Sequence, residues 1–207
     1  MKLTAIASFV TIVSTAAISF SSQAEIYVSP FGGYSFGSSE FDISDPNTSE
    51  SGKLKISESE HYGVMIGTTT KDPGNIYFLY STQATDVRNG AFSNEVFNEL
   101  DVDYFHLGGS LYFPNGKFKP YVTVTAGATH MRPSGDYSSE TRFSMGFGGG
   151  AAYEITPQVA LFADVRGYAT FVNSDNTFFC GPNECVWHIS ADVMWQGQAN
   201  VGLEIKF

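Results

Sequence analysis

The twenty-one residues from Trp187 to Phe207, WHISADVMWQGQANVGLEIKF, alternate with period two up to the last position. Trp187, Ile189, Ala191, Val193, Trp195, Gly197, Ala199, Val201, Leu203, Ile205 and Phe207 fill the odd positions, every one apolar or glycine. The even positions carry His188, Ser190, Asp192, Gln196, Gln198, Asn200, Glu204 and Lys206, interrupted by Met194 and Gly202. Successive side chains of a strand point to opposite faces, so this stretch predicts a β-strand with one apolar and one polar face. Ordinary strands run about 5–6 residues, whereas a two-faced strand of about 20 ending on an aromatic residue fits a transmembrane barrel strand that continues past the bilayer.

The same period recurs upstream. Alternating segments between turn signals predict eight strands, over residues 26–36, 58–70, 75–86, 99–113, 120–131, 141–153, 158–171 and 187–207. Short connections, Lys71-Asp72-Pro73-Gly74, Pro114-Asn115-Gly116-Lys117 and Glu154-Ile155-Thr156-Pro157, alternate with longer ones over 37–57, 87–98, 132–140 and 172–186. All the short turns therefore fall at one end with both termini, which in outer-membrane barrels is the periplasmic end. A soluble eight-stranded barrel of the lipocalin kind shares the alternation within strands but explains neither the loop asymmetry nor the terminal aromatic.

Residues 1–24 read as a secretory signal. Lys2 provides the positive start, Leu3 to Phe20 is uncharged and mostly apolar or small, and Ser22-Gln23-Ala24 fits a small-x-small cleavage site. The alternative, an N-terminal membrane helix, is weakened by the Ser and Thr that dilute the stretch and by the lack of a positive stop-transfer cluster. Residues 25–207 then form one domain. With Lys2 removed the balance is 10 basic to 21 acidic residues, a surface that disfavours nucleic acid. No later segment approaches the ~20 apolar residues of a membrane helix, so a mature chain that spans a bilayer must do so as a closed barrel. The 18 Phe and 11 Tyr fit interfacial girdles.

Parity assigns faces. In the seventh strand Val159, Leu161, Ala163, Val165, Ala169 and Phe171 point to lipid, while Asp164, Arg166, Tyr168 and Thr170 point inward. In the sixth, Phe143, Met145, Phe147, Ala151 and Tyr153 are outside and Arg142, Ser144, Gly146, Gly148 and Gly150 inside. In the fifth, Val122, Val124, Ala126 and Ala128 are outside and Tyr121, Thr123, Thr125 and Thr129 inside. The third strand is ambiguous, because residues 76–80 are apolar on both faces. Trp195 and Phe207 are twelve residues apart, which at ~3.3 Å per residue and ~40° tilt is roughly 30 Å of height, and they are expected at opposite membrane interfaces.

With Pro120-Tyr121-Val122 through Gly127, Phe147-Gly148-Gly149-Gly150 before Thr156-Pro157, Asp164-Val165-Arg166-Gly167-Tyr168 and the closing Val201-Gly202-Leu203-Glu204-Ile205-Lys206-Phe207, the chain resembles the small outer-membrane β-barrel family of Gram-negative bacteria, in architecture like OmpX and the OmpA transmembrane domain. The resemblance implies an eight-stranded antiparallel barrel with short periplasmic turns and long extracellular loops, exported through the periplasm to the outer membrane. It also implies contact with outer-membrane lipid and lipopolysaccharide, handling by periplasmic chaperones and the β-barrel assembly machinery, and an assembly signal in Val201, Leu203, Ile205 and Phe207. No periplasmic peptidoglycan-binding domain follows, so anchoring of the cell wall is not expected.

Few residues suggest chemistry. In an exported protein, Cys180 and Cys185 across Gly181-Pro182-Asn183-Glu184 read as a disulfide; their spacing is not that of a redox CxxC pair, and no neighbouring residue completes a zinc site. Arg142, Asp164, Arg166, Glu204 and Lys206 form the expected interior charge network. Its two readings are a lumen filled by paired side chains and a narrow, porin-like ion path. His61, His106, His130 and His188 fall on different strands or their ends and suggest no metal site. His188-Ile189-Ser190 resembles the His-x-Ser element of outer-membrane lipid A deacylases, with Asp192 or Glu204 as an acid, although parity turns both side chains inward, away from lipid. The expectation is a monomeric barrel without a cofactor or enzymatic activity, acting structurally or through recognition by its outer loops. Those loops include the acidic first loop and Phe92, Phe97, Phe178 and Phe179, which could dock an extracellular protein partner.

Overall fold

In the computed structural model, residues 25–37, 40–44, 51–89, 96–135, 138–172, 177–180, 185–189 and 193–207 are described. Among them are twelve strands: β1 Ile26–Phe36, β2 Glu40–Ser44, β3 Ser51–Ile56, β4 Ser59–Thr69, β5 Gly74–Asn89, β6 Val96–Tyr112, β7 Phe118–Pro133, β8 Glu140–Glu154, β9 Val159–Phe171, β10 Thr177–Cys180, β11 Cys185–Ile189 and β12 Val193–Lys206. Eight of them close on themselves in the antiparallel order β1–β4–β5–β6–β7–β8–β9–β12–β1. Closure leaves no edge strand in the barrel wall, which is the condition for spanning hydrocarbon with strands.

The register fixes the shape. Following paired positions once round the barrel leads from Ile26 through Thr68, Ile76, Gly109, Val124, Phe147, Gly167 and Gly197 to Phe36, ten residues along β1 from the start. A stagger of ten residues over eight strands tilts them by about 40°. The short turns are tight. Asn115 and Phe118 exchange backbone hydrogen bonds of 2.8 and 3.2 Å around Gly116-Lys117, and Gly116 holds φ at 64°, the left-handed region that a side chain disfavours.

The faces follow parity. Leu161, Val165 and Phe171 on β9, Phe143, Met145 and Phe147 on β8, and Val122 and Val124 on β7 are exposed on the outer wall, whereas Asp164, Arg166, Tyr168 and Thr170 are buried. Outward-facing Ala169 is buried as well, a small side chain whose register partners are Trp195 and Met145. The ambiguous strand resolves as β5, with Ile76 and Phe78 outside and Tyr77 and Leu79 in the lumen.

Two expectations need correction. The stretch 187–207 is not one strand: β12 starts at Val193, and Trp187 to Ile189 belong to β11, which pairs with β10 and β2 rather than with β9. The long connections are also not plain loops. The first carries β2 and β3, the last carries β10 and the start of β11, and β5 and β6 run on to Asn89 and from Val96. Beyond the outer rim, β10, β11, β2 and β3 make a sheet in that order, joined to the barrel where Leu54, Lys55 and Ile56 pair with Asn89, Arg88 and Val87. The leader proposed for 1–24 lies outside the described residues.

Candidate functional site: the filled lumen

Inward-facing Asp164 and Arg166 stand two residues apart on β9, and a row of glycines on the neighbouring strand makes room for them. Gly146, Gly148 and Gly150 of β8 pair with Tyr168, Arg166 and Asp164. A methyl group at Gly148 would fall 2.9 Å from Arg166 Cγ, and one at Gly150 2.4 Å from Asp164 Cβ. The inner face of β8 therefore carries no side chain at these three positions, and three large or charged side chains of β9 lie across the space.

The pair sits in a chain of hydrogen bonds. Arg166 donates from Nε (3.0 Å) and Nη2 (2.7 Å) to Asp164 Oδ2, which also accepts from the Tyr121 hydroxyl at 2.7 Å. Asn200 Nδ2 donates to Asp164 Oδ1 at 2.7 Å. Because that leaves Asn200 Oδ1 as an acceptor, His61 Nε2 donates to it at 2.6 Å, and His61 Nδ1 accepts from Ser35 Oγ at 3.0 Å, the pattern of a neutral imidazole. On the other side Arg166 Nη1 donates to the Tyr77 hydroxyl at 3.3 Å, the guanidinium lies 5.7 Å from the Tyr77 ring centre, and Tyr77 bonds Thr123. Six strands, β1, β4, β5, β7, β9 and β12, are linked across the lumen by these contacts. The Asp164 side chain is fully buried and that of Arg166 4% exposed, so the charges are neutralised by each other and by hydrogen bonds rather than by water.

Further layers close the space towards the outer rim. Tyr104 stacks on Tyr168 with ring centres 4.3 Å apart and donates to Gln196, which donates to Gln83. His106 bonds Thr125 and Ser144, each at 2.8 Å. Towards the end with the short turns Lys206 lies 3.6 Å from Glu204 and 3.7 Å from Glu154, which also pairs with Lys119. Around these groups opens a cavity of about 160 Å³, lined also by Asp72, Asn75 and Tyr112.

The expected interior charges are thus inside, but they form three clusters rather than one network. Asp164 and Arg166 hold the middle and Glu204 with Lys206 the periplasmic mouth. Arg142, near the start of β8, pairs with Glu140 at 3.1 Å. The separation follows from height, since residues of like parity share the lumen at different levels along the axis. Tyr77, Asn200 and His61 complete the central cluster and were not singled out for it from the sequence.

Outside, Trp195 is 48% and Phe207 78% exposed at opposite ends of the lipid-facing row of β12, with Val201 and Leu203 exposed between them. A belt of apolar side chains around a closed barrel is the wall of a membrane protein. Residues 5–207 match the outer membrane protein beta-barrel domain family. The chain belongs to that family. It is an outer-membrane protein of the Gram-negative envelope.

Among solved structures, this outer-membrane β-barrel is similar to Neisserial surface protein A, with a TM-score of 0.61 at 15% identity over 89% of this chain and 99% of that one. It is also similar to OprG of Pseudomonas aeruginosa, with a TM-score of 0.60 at 13% identity over 89% and 95%, and to AlkL, determined in lipid bilayers, with 0.53 at 15% over 88% and 90%. At these identities the likeness is one of fold. Among curated proteins none matches this sequence.

Two sequence readings fall at the edge of what the barrel's structure describes. Cys180 and Cys185 face each other in the β10–β11 register, and directly opposed antiparallel residues lie about 4.5–5.5 Å apart at Cα, within the reach of a disulfide; their side chains are outside the described residues. Ser190 and Asp192 of the deacylase-like reading are outside them too. Glu204 cannot serve His188 as an acid, because the eleven residues from Val193 to Glu204 carry it to the far end of β12, roughly 35 Å along the strand.

Proposed function

We propose that the barrel is closed to ions and serves a structural or surface-recognition role through the sheet above its outer rim. The observation that carries this reading is the Asp164–Arg166 cluster spanning the lumen, together with Tyr27, Tyr77, Tyr104 and Tyr168, each at most 2% exposed. An eight-stranded barrel is just wide enough for its side chains to fill, and here they are large, bonded to one another and level with the lipid-facing belt. The wall is then a monomeric anchor without a cofactor or enzymatic role. The parts free to meet an extracellular protein or lipopolysaccharide are β2, β3, β10 and β11. Replacing the β2–β3 and β10–β11 hairpins with short turns should leave a heat-modifiable folded barrel but reduce retention of expressing cells on protein-coated surfaces. Equal retention would remove recognition from the proposal.

A narrow porin-like path is the second reading, favoured by the 160 Å³ cavity at the periplasmic mouth with its Lys119, Lys206, Glu154 and Glu204 lining. It requires a route past Tyr77, Tyr121 and Arg166.

Two further expectations belong to export and assembly. If Cys180 and Cys185 are bridged, denatured but unreduced mature protein should take up no alkylating reagent, and double alkylation would show that they are free thiols. Such a bridge closes a short loop and adds about 2 kcal/mol. The Phe207 amide donates to Ile26 O at 2.8 Å where the last strand meets the first, so deleting Phe207 removes both a closing contact and the proposed assembly signal. Folded protein in outer-membrane fractions should fall several-fold, and unchanged amounts would remove Phe207 from the signal.

A further inference from the structure

The lipid-facing belt differs in height around the barrel. On β12 the outward row runs from Trp195 to Phe207, twelve residues between exposed aromatics. On β6, four strands away and so diametrically opposite, the exposed aromatics Phe105 and Phe113 are only eight residues apart. Phe143 and Tyr153 of β8, on the wall between, are ten apart. At about 2.5 Å of axial height per residue in strands tilted by about 40°, these spans are about 30, 20 and 25 Å.

The missing height lies at the outer edge. The register line from Gly109 of β6 through Val124, Phe147 and Gly167 to Gly197 of β12 climbs about 12 Å, four of the eight steps in a ten-residue stagger. Referred to that line, Phe113 and Phe207 lie within about 3 Å of one height, while Trp195 stands about 8 Å above Phe105. Tilting a uniform band would shift both edges the same way on one side; here only the outer edge moves.

What replaces the belt on β6 is charged. Next above Phe105 on the outward row is Asp103, buried beneath its partners, which accepts from Arg132 Nη2 of β7 at 2.9 Å and from the Tyr80 hydroxyl of β5 at 3.3 Å. Asp101 follows, 3.7 Å from the same Arg132, and both of these side chains are half exposed. At the height of Asp101 on the opposite wall stands Phe171 of β9, 44% exposed. Charged groups facing acyl chains are costly, and a short apolar span is accommodated by thinning the bilayer.

We infer that the outer-leaflet headgroup layer lies about 8 Å deeper against β6 than against β12, so that the half-exposed Asp101 and Arg132, which stand over the buried Asp103, are covered by lipid headgroups and their water rather than by acyl chains. The barrel is a wedge in the membrane, and the thinned sector adjoins β5, from which the outer sheet rises.

The test places nitroxide labels at Asp101→Cys and Phe171→Cys in the mature chain carrying Cys180→Ser and Cys185→Ser, reconstituted in phosphatidylcholine vesicles and confirmed as folded by heat-modifiable migration. Collision rates with dissolved oxygen and with a water-soluble nickel chelate report depth. The Asp101 label, about 10 Å above Phe105, should favour nickel over oxygen several-fold more than the Phe171 label, which stands within about 2 Å of the height of Trp195. Equal ratios would overturn the wedge. So would a third label, at Phe113→Cys, found as deep as one at Leu107→Cys, since that is the result of a tilted uniform band.

Discussion

Arg166→Ala is expected to destabilise the barrel by about 3–5 kcal/mol, the usual cost of removing one partner of a buried ion pair. The loss exceeds that of the contacts themselves. Asp164 would keep its bonds from Asn200 and Tyr121 but remain as a fully buried carboxylate with no cation beside it. Denaturant unfolding in detergent micelles or vesicles, followed by heat-modifiable migration, reads the change as a lower midpoint. Replacing both members by apolar side chains of similar volume should cost less than Arg166→Ala alone, because the uncompensated charge is then gone. A midpoint within error of wild type for Arg166→Ala would mean that water already reaches Asp164, and the filled lumen would be wrong.

The second large effect is on the opposite face. Val165 is 54% exposed on the outer wall near mid-height, paired with Ala199 and Gly149, so its open side faces acyl chains. An arginine at the bilayer midplane costs about 2–4 kcal/mol and falls towards zero near the interfaces. Val165→Arg should therefore refold and insert poorly. Leu203→Arg should be milder, lying four residues from Phe207 and close enough to the inner interface for the side chain to reach it. If the two behaved alike, Val165 would not lie deeper in the bilayer than Leu203.

Val165 and Arg166 are adjacent in sequence, and parity alone told them apart. That much of the fold was legible because a transmembrane strand separates lipid from lumen at every residue, so composition alternates wherever both faces are constrained. The signal weakened at β5, where Tyr77 and Leu79 fill the lumen with apolar bulk as large as the lipid-facing Ile76 and Phe78. It misled between Trp187 and Val193. Alternation records which face a side chain takes and says nothing about which strand lies alongside, so β11, paired with β10 and β2, continued the pattern of β12 without interruption.

The central cluster was half legible for the same reason. Asp164 and Arg166, two apart on one face, had to share the lumen. Which residues of other strands meet them depends on the ten-residue stagger, which no single strand encodes. Asn200 and Tyr77 reach Asp164 and Arg166, and His61 reaches Asn200, from strands whose sequence positions are tens of residues away. A usable signal was present in Gly146, Gly148 and Gly150. Three inward glycines at every second position leave a trough that large side chains of the next strand must occupy, and β9 supplies Tyr168, Arg166 and Asp164 in register.

The claim that the lumen is filled meets its most direct test in single-channel recording of the refolded mature protein in planar bilayers, with Arg166→Ala beside it. The account predicts a flat baseline for wild type and, at most, brief openings for the variant as the cluster loosens. A steady conductance of wild-type protein, ohmic and on the scale of open porins, would contradict it and make the porin-like reading the better one.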